Sequence, residues 1–297
     1  MSNLFPGFQA RKVRARGATI HLEHGGKGEP VLLLHGYPQT HAMWHKVAPE
    51  LARDYTVVCA DLRGYGDSSK PKGLPDHGNY SKRAMALDMA EVMSALGHER
   101  FHVVGHDRGG RVAHRLARDH ARRVRSLTVL DISPTLKMYQ NTNLQFAKAY
   151  WHWFFLIQEA PLPEKMLEGQ VPFYILKRLG RGKSGLGHFS REAMAEYVRA
   201  FKDPRTIHST CEDYRAAATI DLIHDQREKS KLRMPVLALW GKHGVIEALF
   251  DCLADWREVA LDVRGRPLPC GHFIPEEKPR ELLAELRRFL RPPAAPA

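Results

Sequence analysis

Between the apolar run Phe101–Val104 and a helix-forming segment, the chain reads Gly105-His106-Asp107-Arg108-Gly109-Gly110. A Gly-x-nucleophile-x-Gly stretch between strand and helix makes a sharp turn that lifts one side chain above the edge of a sheet. The reactive side chain here is a carboxylate, not a hydroxyl or thiol. A carboxylate nucleophile suits attack on an sp3 carbon bearing a leaving group, because the alkyl ester it forms can then be hydrolysed. Two arginines, Arg108 and Arg111, flank it and point to an anionic substrate.

Around this turn the chain alternates strands and helices, which predicts an α/β fold with a mostly parallel sheet and helices on both faces. Val31-Leu32-Leu33-Leu34 and Thr56–Ala60 have the apolar character of buried parallel strands. A helix is expected between them over Trp44–Ala52. Ser81 caps a predicted helix over Lys82–Leu96, with Gly97 as its stop. After the elbow come a helix over Gly110–Asp119 and a strand over Val124–Leu130. The rhythm then breaks. Residues 132–231 are aromatic-rich and helix-like, without a series of buried strands, and read as an inserted helical cap. The core domain is thus expected to comprise residues 1–131 and 232–297. The α/β pattern resumes at Pro235–Leu239, with a helix near Ala248–Trp256, a short strand near Val259–Val263 and an amphipathic helix over Pro279–Leu290. The Pro/Ala tail after Arg291 reads as frayed.

At 297 residues and 43% hydrophobic content the chain can fill one large core and an insertion. The four cysteines form no CxxC pair, which fits a reducing compartment and a cytoplasmic protein. The basic N-terminal stretch lacks the apolar segment of a secretory signal, and no apolar run is long enough for a membrane span. The formal charge of +12 is spread along the chain without a polybasic tract, so a solvated surface that attracts small anions is preferred to nucleic-acid binding.

Chain order supplies partners for Asp107. His272 lies in Cys270-Gly271-His272-Phe273, before the last helix. It completes the order nucleophile, acid, histidine. Position selects it from 17 histidines as the base that activates water. The acid that orients it comes from a strand-end loop. Asp131, directly after the strand Val124–Leu130, is preferred, with Glu247 as the second choice. In His35-Gly36-Tyr37-Pro38, the Tyr37 amide can join that of Arg108 in an oxyanion hole. Other fragments fail. Gly182-Lys183-Ser184 has Lys177 where a phosphate-binding loop needs glycine; His41 and His45 lack the glutamate of HExxH; no serine sits in GxSxG. No cofactor and no catalytic metal are expected.

The stretches His35–Thr40, Asp61-Leu62-Arg63-Gly64-Tyr65-Gly66-Asp67-Ser68 and Gly105–Arg111 resemble those of the haloacetate dehalogenases of the α/β-hydrolase fold, over nearly the whole chain. The resemblance implies hydrolysis of fluoroacetate or another small 2-haloacid to a hydroxyacid and halide. It implies that Arg108 and Arg111 hold the substrate carboxylate. It further implies that His152, Trp153 and Tyr214, in the cap, receive the halide, and that the protein is a homodimer. Related haloalkane dehalogenases and epoxide hydrolases commonly place tryptophan after the nucleophile, where Arg108 stands here. Two other readings stay open: an epoxide hydrolase protonating its substrate through Tyr139, Tyr150 or Tyr214, and a non-catalytic binding module on the same fold.

Overall fold

A computed structural model describes residues 4–180 and 185–291. The fragment Gly182-Lys183-Ser184 and the tail after Arg291 lie outside them. Eight strands form one sheet in the order β1-β2-β4-β3-β5-β6-β7-β8. They are β1 (Gln9–Arg14), β2 (Thr19–Gly25), β3 (Pro30–Leu34), β4 (Thr56–Ala60), β5 (Phe101–His106), β6 (Val124–Leu130), β7 (Val236–Gly241) and β8 (Val263–Leu268). β1 and β2 pair antiparallel, β2 pairs antiparallel with β4, and all other pairs are parallel. The expected α/β class and mostly parallel sheet are thus observed.

Every residue of β5 and β7 is buried. That burial on both faces is why these strands read as continuous apolar runs. The sequence missed β1 and β2, because β1 is an exposed edge strand carrying Arg11, Lys12 and Arg14. Charge on an edge strand deters pairing with other chains, but it hides the strand from a hydrophobicity pattern.

The expected helix Lys82–Leu96 is found as Lys82–Ala95. The Ser81 side chain accepts from the Ala84 amide, and Gly97 follows at φ +83°. The helix expected at Trp44–Ala52 is instead a 3-10 turn, His41–Trp44, and a short helix, Ala48–Leu51. Pro49 has no amide to donate and takes the first turn of the second piece. The Ala248–Trp256 segment is likewise two helices, Val245–Leu249 and Cys252–Val259; the second starts where the Asp251 side chain accepts from the Ala254 amide. The strand placed at Val259–Val263 lies later, at Val263–Leu268. It is an edge strand with Arg264 and Arg266 exposed, so no apolar run marks it.

Between β6 and β7 the described residues carry eight helices and no strand of the sheet, from Thr135–Gln140 to Ile220–Arg227. No helix among the described residues is long and apolar enough to cross a membrane.

Chain order in the sheet decides where chemistry can sit. β4 lies on one side of β3 and β5 on the other, so the loops leaving β3 and β5 diverge and open a crevice at the strand ends. Registers Leu34↔Gly105, His106↔Leu130 and Leu130↔Leu239 align the C-terminal ends of β3, β5, β6 and β7. The residues that follow those ends, Gly36-Tyr37, Asp107 and Asp131, therefore meet at one rim.

Candidate active site

β5 runs through His106, and the next helix, Arg108–Asp119, starts one residue later. Asp107 is the single residue between them, at φ +48°, a conformation that L-residues other than glycine seldom adopt. The turn closes because its neighbours lack side chains. A Cβ on Gly109 would sit 2.3 Å from the His35 carbonyl, and one on Gly105 would sit 2.4 Å from the Gly109 carbonyl. The helix begins two residues earlier than the sequence indicated, because Arg108 enters it directly.

Asp107 and His272 are both buried, and His272 Nε2 is 3.8 Å from Asp107 Oδ2. The other ring nitrogen, Nδ1, lies 2.5 Å from Asp131 Oδ2. Asp131 Oδ1 accepts the Gly241 amide at 2.8 Å, which fixes the carboxylate from the far side. Asp131 is also a positive-φ residue, at +54°. Glu247, the second choice for this role, instead accepts from the indole of Trp240. His106 Nε2 donates to the His272 carbonyl at 2.8 Å and so holds the backbone of the histidine loop. Burial, then the neighbouring His272, push His106 down to about 4, so it stays neutral.

The Tyr37 amide donates to Asp107 Oδ1 at 3.0 Å. Burial alone would raise the Asp107 carboxyl. Its electrostatic neighbours, His272 first, then His106, Arg111 and Arg108, outweigh burial and hold it well below the usual carboxylate range. It is therefore ionised at neutral pH.

The two arginines are buried as well. Arg108 is clamped on Asp213: Nε donates to Oδ2 at 2.9 Å, and Nη2 donates to Oδ1 and to the Asp213 carbonyl, each at 2.8 Å. Its guanidinium carbon lies 4.1 Å from the centre of the Tyr214 ring. Arg111 Nη1 donates to Thr135 Oγ1 at 2.9 Å, and its guanidinium carbon is 4.8 Å from the Trp153 ring centre. Each arginine keeps one buried nitrogen with no protein partner, Nη1 of Arg108 and Nε of Arg111. Buried donors without partners are costly, and these two, on neighbouring cations, are available to donate to an anion.

His152, Trp153 and Tyr214 are brought together from two separate helices, Trp151–Leu156 and Pro204–Ala218. Ring centres of His152 and Tyr214 are 5.7 Å apart, and those of Trp153 and Tyr214 are 6.3 Å apart. The Trp153 indole nitrogen and the Tyr214 hydroxyl are buried without protein partners. Burial, then the Asp107 carboxylate, push the Tyr214 phenol well above its ordinary range, so it keeps its proton and can donate.

Sequence reasoning missed several supporting groups. Asp213 accepts from Arg108, from Lys82 and from the Tyr65 hydroxyl at 2.7 Å. Arg178 Nη2 lies 3.0 Å from His152 Nε2. The Tyr37 and Tyr174 hydroxyls are 2.7 Å apart. Only Asp213 left a signal: a buried arginine requires a buried acid, and Asp213 adjoins Tyr214. Among the described residues one cluster could hold a metal ion, and it contains none of the candidate active-site residues.

The family model for the α/β hydrolase fold matches residues 29–279. The chain is 48% identical to fluoroacetate dehalogenase from Burkholderia sp over 97% of its length and 95% of that protein. It is 36% identical to soluble epoxide hydrolase from Corynebacterium sp. (strain C12), over 93% of this chain and 95% of that one. A crystal structure described as an α/β hydrolase from Nostoc sp PCC 7120 superposes with a TM-score of 0.93 at 56% identity, covering 95% of this chain and 98% of that one.

Proposed function

The chain belongs to the α/β-hydrolase fold family, and on that premise we propose that it hydrolyses a small 2-haloacid, fluoroacetate or a related haloacetate, through an ester on Asp107. The observation that carries this reading is the pair of partnerless guanidinium nitrogens, Arg108 Nη1 and Arg111 Nε, beside an ionised aspartate. A carboxylate held by both brings its own α-carbon toward Asp107.

In the first step Asp107 Oδ2 attacks that carbon opposite the halogen. The C–O bond forms, the carbon–halogen bond breaks, and the halide leaves with the electron pair. Fluoride is strongly hydrated, so its departure needs several donors in a dry pocket. Trp153 and Tyr214, together with His152, supply them. In the second step His272 Nε2 takes a proton from water, and the hydroxide adds to the Asp107 carboxyl carbon. Charge then grows on Oδ1, where the Tyr37 amide already donates, and the Arg108 amide is the second donor of the proposed hole. Collapse releases the hydroxyacid, which takes its proton from His272, and leaves Asp107 as a carboxylic acid that loses its proton to solvent, since its surroundings favour the carboxylate. Asp131 keeps Nδ1 occupied, so the reactive nitrogen faces the ester. A substituted substrate inverts at its α-carbon, because only the first step touches that centre.

The helices of residues 132–231 act in this reading as a cap that closes the site. Leu144, Trp151, Leu162, Met166 and Phe173 on them are exposed apolar side chains, which supports the homodimer that the resemblance implies. The four cysteines are free and buried, in keeping with a cytoplasmic, reducing location.

A second reading, epoxide hydrolase, draws on the Tyr139 and Tyr214 hydroxyls, buried and partnerless, with the Tyr139 phenol pushed by burial to about 12. Such hydroxyls can protonate an epoxide oxygen. The guanidinium pair weighs against it, because a neutral epoxide offers no carboxylate to Arg108 Nη1 and Arg111 Nε, which stay without an acceptor. Fluoride release from fluoroacetate, measured with an ion electrode, separates the readings. Release with no diol formed from small epoxides supports the dehalogenase. Diol formation without halide release supports the rival, and neither product supports a binding module.

A further inference from the structure

We propose that the chain carries a site for one divalent transition-metal ion of the zinc class, built from His21, Glu23 and His41, separate from the residues assigned to dehalogenation. His21 and Glu23 are two residues apart on β2 and share a face, while Leu22 between them is buried on the other. His41 arrives from the 3-10 turn after β3. One potential ligand atom from each of the three lies within 4.8 Å of the others. Ligand atoms around one zinc ion at 2.0–2.2 Å are roughly 3.3 Å apart, so small side-chain rotations close the set.

The histidine is already oriented for coordination. His41 Nδ1 lies 2.9 Å from Asp61 Oδ1, and the same oxygen accepts the His41 amide at 2.8 Å. A carboxylate on one ring nitrogen fixes the tautomer and leaves Nε2 as the ligand, the arrangement found behind most metal-bound histidines. Asp61 is fully buried and also accepts the Asp67 amide at 2.9 Å, so it is not itself free to move onto an ion. His45, one helical turn on, is directed elsewhere, with Nδ1 2.9 Å from the Ala42 carbonyl.

These residues line a cleft of about 630 Å³ that Leu4, Phe5 and the helix Arg191–Phe201 complete. Its charge favours a cation. Lys12, opposite His21 across the β1–β2 ladder, and Arg199 bring two positive charges. Glu23, Asp67, Glu192 and Glu196 on the walls, with Asp61 behind His41, bring five negative ones. Two imidazoles and one carboxylate, with a fourth position open to water or Glu192, match the ligand preferences of zinc. An ion here would tie β2 and the turn after β3 at one wall of a cleft whose other wall is the helix Arg191–Phe201.

The test uses the full chain, stripped with chelator and dialysed against zinc chloride, with bound metal counted per chain. One zinc per chain is expected. Binding should be more than tenfold weaker in His21→Asn and in Glu23→Gln, while haloacetate turnover stays at the wild-type level and certifies the fold. His243→Asn, at an exposed histidine elsewhere, should bind as wild type does. Absence of stoichiometric zinc in the wild type, or wild-type affinity in the His21→Asn/Glu23→Gln double variant, would overturn the proposal. So would equal weakening in His243→Asn, which would mean that scattered surface histidines hold the metal.

Discussion

The two halves of the candidate site are made in different ways. On the sheet side, Asp107, Asp131 and the Tyr37 amide follow the ends of aligned parallel strands, and His272 follows the last strand of the same sheet. Their positions are set by backbone turns: Asp107 and Asp131 both sit at positive φ. On the helical side, Arg108, Arg111, Trp153, Tyr214 and Asp213 are set by side-chain pairing in a buried interior. In the proposed mechanism the first half positions a nucleophile and a base for reactions of many kinds, and the second half decides which substrate is attacked. A substitution on the sheet side should therefore stop chemistry with any substrate, whereas one on the helical side should change stability or discriminate between substrates.

The largest effect expected is at the elbow. Asp107→Asn should lose roughly 10⁴-fold or more in kcat with the fold intact, as removal of a nucleophile does. His272→Asn should trap the ester, seen by mass spectrometry of the intact chain after mixing with haloacetate. Turnover by Asp107→Asn comparable to wild type would assign the chemistry elsewhere.

Next is Asp213→Ala, which touches no substrate in the proposed mechanism. Removing one partner of a buried ion pair costs about 3–5 kcal/mol, since Arg108 and Lys82 are left uncompensated. A large fall in Tm is expected by calorimetry. An unchanged Tm would show that the helical side does not depend on this pairing.

Tyr214→Phe should be smaller and selective. Loss of one donor to the leaving group costs on the order of 10²-fold in kcat for fluoroacetate, and clearly less for chloroacetate, whose halide needs less stabilisation. Equal losses for both would mean that Tyr214 packs against Arg108 without serving the halide.

A gradual, pH-dependent effect lies where the two halves meet. Glu276, just after the histidine loop, accepts from the Tyr197 hydroxyl on the helix Arg191–Phe201 at 2.5 Å. Burial pushes its carboxyl from 4.5 up to about 7, against the pull of Tyr197 and Lys46. The folded chain thus holds this proton while the unfolded chain has lost it. Stability should fall as pH rises from about 4.5 to 7 and level off above, with a slope from this group of at most about 1.4 kcal/mol per pH unit. Glu276→Gln should flatten that limb in denaturant titrations across pH; an unaltered limb would assign the proton to another group.

This contrast also explains what the sequence revealed. Asp107 and its glycines are legible because the elbow permits few alternatives: a Cβ at 105 or 109 would strike backbone. Asp131 is legible because it directly follows a buried strand. The Asp213 clamp on Arg108, the Arg178 contact with His152 and the Tyr37–Tyr174 hydroxyl pair depend on contacts across 26 to 137 residues, which no local pattern encodes. Edge strands β1 and β8 were lost or shifted for the opposite reason. Solvent, not packing, dictates their side chains, so their strand character lies in backbone pairing alone.

The central claim is a covalent ester on Asp107, and isotope tracing reaches it most directly. In a single turnover of haloacetate in 18O-water, with enzyme in excess, the glycolate oxygen comes from Asp107 and the water oxygen enters the Asp107 carboxylate. Label in the peptide containing Asp107, with unlabelled glycolate, is the expected result. Label appearing directly in glycolate, with Asp107 unlabelled, would contradict it.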